Sequence, residues 1–430
     1  MIYFMSIGLV LLLILGVPVA FSLGVAALFA YIESTAGAIV PSVISRRMIF
    51  GLDNFLLLAI PLFILSAKIM NSAKITSKIF GFAHAVVGFL PGGLGHANVV
   101  ASLIFAGMSG AAVVDAAGLG QIELEAMQDG GYDRDFSVAI TAASSTIGPI
   151  FPPSLPMVVF GYMSGVSIGR LFLGGVVPGL IMTAILMLMV SFYAHRRGYP
   201  RLPFPTFAGL LKSFVDAILP LMTPVILLGG IWSGIFTPTE AAAVAVLYAM
   251  IIGKIALKEL GWRELKQVLM DTARETAIIG FIVAASGFYG WMLMRSGMTV
   301  RVASALMTLS DNPMVILLTI NLFLLIVGCF LDPTVAILIL TPILMPAILR
   351  VGIDPVHFGV VMVLNLMIGL LTPPFGIVLF VMAQVSGMRF GRVVRTTAPF
   401  LLPLFVVLVL IVLFPGVVTA LPNYLYSFLR

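Results

Sequence analysis

Two stretches, GPIFPPSLP at residues 148–156 and GLLTPPFGI at residues 369–377, place paired prolines inside runs with the composition of membrane-spanning helices. Each proline inside a helix removes a backbone donor and crowds the preceding turn, at a cost of roughly 3 kcal/mol. Interrupted backbone is tolerated at membrane depth only where it is buried in protein or lines a watery cavity. The sequence therefore predicts two broken helices beside a functional cavity, with simple kinks that shape helix packing as the alternative.

The composition indicates an integral membrane protein. Hydrophobic residues make up 61% and charged residues 9% of the 430 residues, and the mean hydropathy is +1.19. Soluble domains carry about 25% charged residues, and apolar runs of about 18 residues or more are typical of spanning helices rather than of a β-barrel. The first run is interpreted as a spanning helix, since no basic residues precede it as they would in a signal peptide. Basic residues gather in the links between runs, which is typical of topology signals and not of a nucleic-acid-binding surface.

The two prolyl breaks belong to an internal repeat. Pro152 and Pro153 lie 221 residues before Pro373 and Pro374. The same offset relates further glycine, aspartate and proline positions: Gly107 and Gly328, Gly131 and Gly352, Asp133 and Asp354, Pro178 and Pro399. Glycine and proline are the strongest structural punctuators, so a shared offset among them indicates duplication. We expect two repeats of inverted topology, residues 1–210 and 211–430.

Each predicted repeat has the same order of parts: scaffold helices, a short arm helix, a re-entrant hairpin, a broken helix and a final helix. In the first repeat these parts are residues 1–72, 74–89, about 93–127, 133–165 and 168–195. In the second repeat they are residues 217–295, 298–310, about 313–350, 356–386 and 394–425. Hairpins too short to cross twice, at corresponding positions of two halves, are the sequence indication of a secondary transporter. The expected fold class is an all-α polytopic membrane protein.

Broken helices free backbone carbonyls, which are good ligands for Na⁺, whereas half-helix N-termini suit an anion. We therefore expect two Na⁺ sites flanking one substrate site, with Na⁺ as the coupling ion and no organic cofactor. The first Na⁺ site is assigned to Gly107, Ser109, Gly110, Ser145, Gly148 and Pro149. The second is assigned to Gly328, Asp332, Thr334, Gly369, Thr372 and Pro373. One cysteine and four scattered histidines argue against a transition-metal site.

Five segments resemble the large membrane subunit of tripartite ATP-independent periplasmic (TRAP) transporters: FGLDNFLLLAIPLFILSAKIM (50–70), FAGMSGAAVVDAAGLG (105–120), TIGPIFPPS (146–154), GIFTPTEAAAVAVLYA (234–249) and GCFLDPTVAILILTPILMP (328–346). The resemblance implies a Na⁺-driven importer of organic anions in the bacterial inner membrane, whose transport domain moves as an elevator against a scaffold. It also implies two partners, a small four-helix membrane subunit and a periplasmic binding protein that delivers the substrate. A sialic acid, a C4-dicarboxylate and a sugar acid are all possible substrates.

Ser109 and Asp332 are predicted to contact the substrate as well as Na⁺. Ser109 lies between two glycines, so its hydroxyl is available to a cation unless it bonds back to its own helix. Asp332 is a lone carboxylate in a long apolar stretch, which costs roughly 2.5–3.5 kcal/mol on insertion scales, so it should face protein, water or a cation. Because Pro333 follows it, the alternative is that Asp332 only caps a helix. By the offset, its counterpart is Ala111.

Two basic residues and a cluster of acidic residues allow more than one interpretation. Arg295 ends an apolar run, and a guanidinium there can bind a carboxylate with two hydrogen bonds; the alternative is an arginine that extends to the lipid headgroups. The resemblance implies a substrate-binding arginine at Arg295. It also implies a small or acidic residue in place of Lys68, which we interpret as a helix-end lysine extending to water. The acidic residues are expected to coat the emerging end of the first hairpin rather than to bind metal: Asp115, Glu123, Glu125, Asp129, Asp133 and Asp135.

Other functions fit the sequence less well. A membrane-embedded enzyme is disfavoured because the chain has no GxSxG or HExxH motif and no paired aspartates on facing spans. A passive channel is disfavoured because inverted hairpins suit alternating access. The closest alternative is a single-component Na⁺/dicarboxylate symporter of similar architecture, which would take up its substrate without a binding protein.

Overall fold

The computed structural model describes residues 4–35, 37, 39–72, 75–201, 203–310 and 312–428. Every regular element in these ranges is a helix, which confirms the all-α fold class. The α-helices up to residue 197 are α1 (Leu9–Ile14), α2 (Val19–Ser34), α3 (Pro41–Phe50), α4 (Ala59–Ser72), α5 (Ile75–Val87), α6 (Gly93–Ser109), α7 (Ala112–Asp129), α8 (Arg134–Ser145), α9 (Leu155–Ser164) and α10 (Ile168–Arg197).

The second part of the chain continues the series without strands in the ranges described. Its α-helices are α11 (Phe207–Trp232), α12 (Pro238–Ile251), α13 (Trp262–Arg295), α14 (Met298–Leu309), α15 (Pro313–Gly328), α16 (Pro333–Val351), α17 (Pro355–Leu370), α18 (Ile377–Ser386), α19 (Phe390–Thr397), α20 (Leu401–Leu413) and α21 (Gly416–Phe428).

Seven helical segments of the described chain are long and apolar enough to cross a membrane. They are Phe55–Ser72, Ile168–Arg197, Phe207–Trp232, Pro238–Ala256, Trp262–Arg295, Pro333–Val351 and Phe390–Leu413. The bent pair formed by α14 and α15 would add one more span if it crosses as a unit. The apolar composition thus appears as several spanning helices interleaved with shorter apolar ones.

The helices after the two hairpins begin at matching caps. Asp133 Oδ1 accepts a hydrogen bond from Phe136 N at 2.9 Å at the start of α8. Asp354 Oδ1 accepts one from Val356 N at 2.7 Å at the start of α17. A carboxylate at this position satisfies free N–H groups and complements the helix dipole. The caps therefore recur at the offset that relates the prolyl breaks.

Helices of the first predicted repeat pack against helices of the second in matching pairs. α7 packs against α18 while α9 packs against α16, so each hairpin contacts the second piece of the other broken helix. In the same way α2 packs against α13 while α4 packs against α12. These reciprocal contacts are what a two-fold relation between two repeats would produce. The division at residue 210 and the inversion across the membrane remain predictions.

The final part of the chain differs from the single helix expected at residues 394–425. α20 ends at Leu413, Phe414 is not helical, and α21 begins at Gly416. Pro415 explains the interruption, because proline lacks a backbone donor and disfavours helical backbone in the residue before it.

Candidate functional site

The first hairpin tip contacts the first prolyl break. α6 ends at Ser109, and Gly110 adopts a φ of +60° before α7 begins. The carbonyl of Gly110 accepts a hydrogen bond from Leu155 N at 3.2 Å, at the far side of the break. A Cβ atom at residue 110 would lie 2.5 Å from Pro153 O. The positive φ and this close approach together require glycine.

The second hairpin tip contacts the second break in a similar way. α15 ends at Gly328, and a Cβ atom at Gly369 of α17 would lie 2.4 Å from the carbonyl carbon of Gly328. Phe375 N in the break donates a hydrogen bond to Cys329 O at 3.3 Å. Each hairpin tip is therefore in backbone contact with the break that follows it in the chain.

The two tips and the first break line a common cavity of about 480 Å³, and Leu370 and Ile377, which flank the second break, also line it. Helices α4 and α13 complete its lining, which is otherwise mainly apolar. The polar and break residues that reach the cavity are Lys68, Ser109, Pro149, Glu275, Asp332 and Thr334. The fold thus brings residues of both predicted Na⁺ sites, and all but one of the predicted substrate contacts, to one place.

Ser109 and Asp332 differ in the hydrogen bonds that their side chains make. Ser109 is 6% exposed, and its Oγ has no hydrogen-bond partner within the part of the chain that is described. This argues against the alternative of a serine bonded back to its own helix. Asp332 caps α16, because its Oδ1 accepts a hydrogen bond from Thr334 N at 2.9 Å, and it also lines the cavity. Capping and cation binding are compatible here, since a carboxylate has several acceptor positions.

Most of the remaining predicted Na⁺ ligands lie in or beside the two breaks. Gly148 and Pro373 lie in the two breaks, and both proline–proline peptide bonds are cis. The hydroxyls of Ser145 and Thr372 donate to carbonyls of α8 and α17 at 2.9 and 2.8 Å, which leaves their lone pairs available to a cation. Gly107 packs closely against α11, because a Cβ atom there would lie 2.6 Å from the Pro224 side chain, and its role as a Na⁺ ligand stays a prediction.

Arg295 lies outside the set of residues that lines the cavity. It is exposed at the end of α13, with its guanidinium 5.6 Å from the ring centroid of Trp291. Ile282 of the same helix lines the cavity, so Arg295 is about 20 Å further along the axis at 1.5 Å per residue. The structure therefore does not bring Arg295 together with Ser109 and Asp332, and its contact with substrate remains a prediction.

The expectation for the acidic residues was wrong for two of them. Asp115 and Glu123 are each 1% exposed, whereas Glu125, Asp129 and Asp133 are exposed. A hydrogen bond from the first arm of the hairpin accompanies the burial of Glu123: Asn98 Nδ2 of α6 donates to Glu123 Oε2 at 2.6 Å. From the sequence alone, a charged residue near the end of a hairpin is expected to be exposed to solvent. The packing of α6, α7 and α8 shows that these two are buried.

Lys68 has a specific partner that the sequence reasoning missed. Its Nζ lies 2.7 Å from Glu275 Oε1 on α13. The available signal was that Glu275 is the last charged residue before the apolar run of α13 and shares a helix face with Ile278, Ile279 and Ile282. All four of these α13 residues line the cavity.

These features define a class of protein, a polytopic helical membrane protein whose interrupted helices meet at a cavity. The solved structure of the Alcanivorax borkumensis YdaH transporter has a similar fold, with a TM-score of 0.65, covering 85% of each chain at 14% identity. The sequence pattern of the tripartite ATP-independent periplasmic transporter DctM component matches residues 6–417.

Two curated relatives are similar in sequence to the chain over most of their length. The sialic acid TRAP transporter large permease protein SiaM of Vibrio cholerae is 46% identical over 96% of both chains. The C4-dicarboxylate TRAP transporter large permease protein DctM of Pseudomonas aeruginosa is 38% identical over 87% of both chains. The chain therefore belongs to the DctM family of TRAP transporter large permeases, as the resemblance implied. It is a transport protein of the bacterial inner membrane and not an enzyme.

Proposed function

We propose that the chain imports an organic carboxylate, coupled to Na⁺, as the large membrane subunit of a tripartite transporter. A periplasmic binding protein delivers the substrate, and a small four-helix membrane subunit supports the scaffold. The observation that carries the proposal is the common cavity, to which Ser109 and Pro149 come from one predicted Na⁺ site and Asp332 and Thr334 from the other. The two relatives, a sialic acid permease and a C4-dicarboxylate permease, support a carboxylate as the substrate class.

The coupling follows from the ligands at the tips. A single carbonyl or hydroxyl oxygen binds Na⁺ only weakly. The Asp332 carboxylate adds a full negative charge to the set of ligands. A bound Na⁺ offsets that charge, so an organic anion meets less repulsion in the cavity when Na⁺ is present. Binding of ion and binding of anion therefore favour each other, which is the requirement for symport.

An elevator movement is the proposed route across the membrane. In it, the hairpins and broken helices form the part that moves, whereas α4 and α13 belong to the scaffold. The cavity lies where these two groups of helices meet, so a bound anion would contact both. A movement of this kind would change which side of the membrane the cavity faces.

Reconstitution tests the proposal directly. The chain is placed in proteoliposomes with its small subunit, and the binding protein encoded beside it is added with radiolabelled N-acetylneuraminate or succinate. We expect uptake of one probe that requires both an inward Na⁺ gradient and the binding protein. Uptake without the binding protein would favour the single-component symporter, and uptake that ignores the Na⁺ gradient would contradict the coupling.

A further inference from the structure

The ion pair of Lys68 and Glu275 stands at the cavity that the proposed substrate would occupy. Lys68 belongs to α4 and Glu275 to α13, and both side chains line the cavity. Their side chains are 20% and 50% exposed, respectively. The pair therefore lies at the edge of the cavity, with the ammonium group more enclosed than its partner.

The charges around the cavity leave one group to attract an anion. Among the described residues that line it, the charged side chains are Lys68, Glu275 and Asp332. Two of these are negative, so an anionic ligand depends on the ammonium of Lys68 for a direct charge-assisted contact. An ammonium group has three donors, and one is directed to Glu275. Two donors are left for a carboxylate, or three if Glu275 moves away.

Helix packing alone does not account for the pair. α4 and α13 pack against each other over an apolar contact, and Lys68 follows Ile64 and Ala67 on the face of α4 that lines the cavity. An apolar residue at position 68 would continue that face. A lysine within the apolar α4 span is costly to insert, and a partly exposed ion pair with Glu275, at the start of the apolar run of α13, returns little stability. A charged residue within a membrane span, such as Lys68, indicates function.

We infer that Lys68 is the carboxylate-binding residue of the cavity and that Glu275 is its internal competitor. This inference rests on the proposed function. The carboxylate of an organic anion replaces Glu275 at Lys68 Nζ, while the rest of the anion occupies the apolar space toward Ser109 and Asp332. Release of the anion restores the ion pair, so the cavity never leaves the ammonium without a counter-charge.

Three variants separate this role from a structural one in the reconstituted system. Lys68→Gln should raise the KM for the imported probe about tenfold or more, because a charge-assisted hydrogen bond is lost. Glu275→Gln should lower the KM about two- to fivefold, because the competitor is gone. The double variant should resemble Lys68→Gln. Lys266→Gln and Asp271→Asn are the controls, since they remove the same charges from positions of α13 that do not line the cavity.

The outcomes distinguish the inference from the function on which it rests. If the wild type imports a probe but Glu275→Gln raises the KM as Lys68→Gln does, the pair is structural and the inference is wrong. If Lys68→Gln does not fold, Lys68→Arg and Glu275→Gln carry the test, and a KM raised tenfold in both would again overturn it. If the wild type imports no carboxylate, the proposed function fails and the inference fails with it.

Discussion

Asp332 and Asp354 have the same local chemistry in two different places. Each is followed by a proline, Pro333 or Pro355, and each accepts a backbone hydrogen bond at the start of a helix. Asp332 lines the cavity with Ser109, whereas Asp354 caps α17 away from it. Any effect that is specific to Asp332 therefore comes from its position and not from helix capping. This pair of residues makes it possible to test ion binding separately from stability.

Gly369→Ala should disturb the contact between the second tip and the second break. Its Cβ atom would lie 2.4 Å from the backbone of Gly328, so the tip must move away. Overpacking of this kind costs about 1–3 kcal/mol, and we expect a lower melting temperature and reduced uptake. Gly391→Ala in α19 is the control, because a Cβ atom there has no neighbour within 4 Å. Equal melting temperatures of the two variants would show that the glycine contact is not required.

At the scale of elements, a buried polar cluster joins α6, α7 and α8. Asn98 donates to Glu123 Oε2 at 2.6 Å and to Thr141 Oγ1 at 2.7 Å, and it accepts from Ser144 Oγ at 2.7 Å. One amide thus connects the two arms of the first hairpin to the first piece of the broken helix. In a low-dielectric interior, a connected network of this kind fixes the relative positions of its helices.

Asn98→Leu should therefore loosen the hairpin from the broken helix. The change removes three hydrogen bonds and leaves a buried carboxylate short of a donor, so we expect a loss of about 2–4 kcal/mol. The measurement is the thermal unfolding of the purified protein in detergent. Gln121→Leu serves as control, since that amide is exposed and donates to Glu125 at the surface of α7. A melting temperature of Asn98→Leu equal to that of the control would contradict a stabilising role.

The sequence predicted interrupted elements well and buried charge poorly. Paired prolines and glycines mark a break because their backbone chemistry is local, and α8 and α9 are indeed separated around Pro152 and Pro153. The burial of Asp115 and Glu123, by contrast, depends on helices that fold against α7. The partner of Lys68 lies 207 residues away in the chain. No local pattern specifies which of the exposed-looking charges will meet, so these features required the structure.

At the scale of the whole molecule, the reciprocal packing of α7 with α18 and of α9 with α16 supports two repeats that face each other. If the repeats are inverted, α5 and α14 lie on opposite faces of the membrane. The test places single cysteines at Ser77 and Ser304, both on exposed positions of these helices, after Cys329 is replaced by alanine. An impermeant maleimide should label the two sites from opposite sides. Labelling of both from the same side would mean a parallel repeat and would exclude the proposed elevator.

The coupling of Na⁺ to the cavity is the central claim, and the comparison of Asp332→Asn with Asp354→Asn tests it most directly. Asparagine retains helix capping, so both proteins should fold. Uptake is measured against Na⁺ concentration in proteoliposomes with the binding protein present. We predict that Asp332→Asn raises the half-saturating Na⁺ concentration about tenfold or more, as expected when a charged ligand is lost, while Asp354→Asn matches the wild type. A Na⁺ dependence of Asp332→Asn that is unchanged, or that shifts equally in both variants, would contradict the claim.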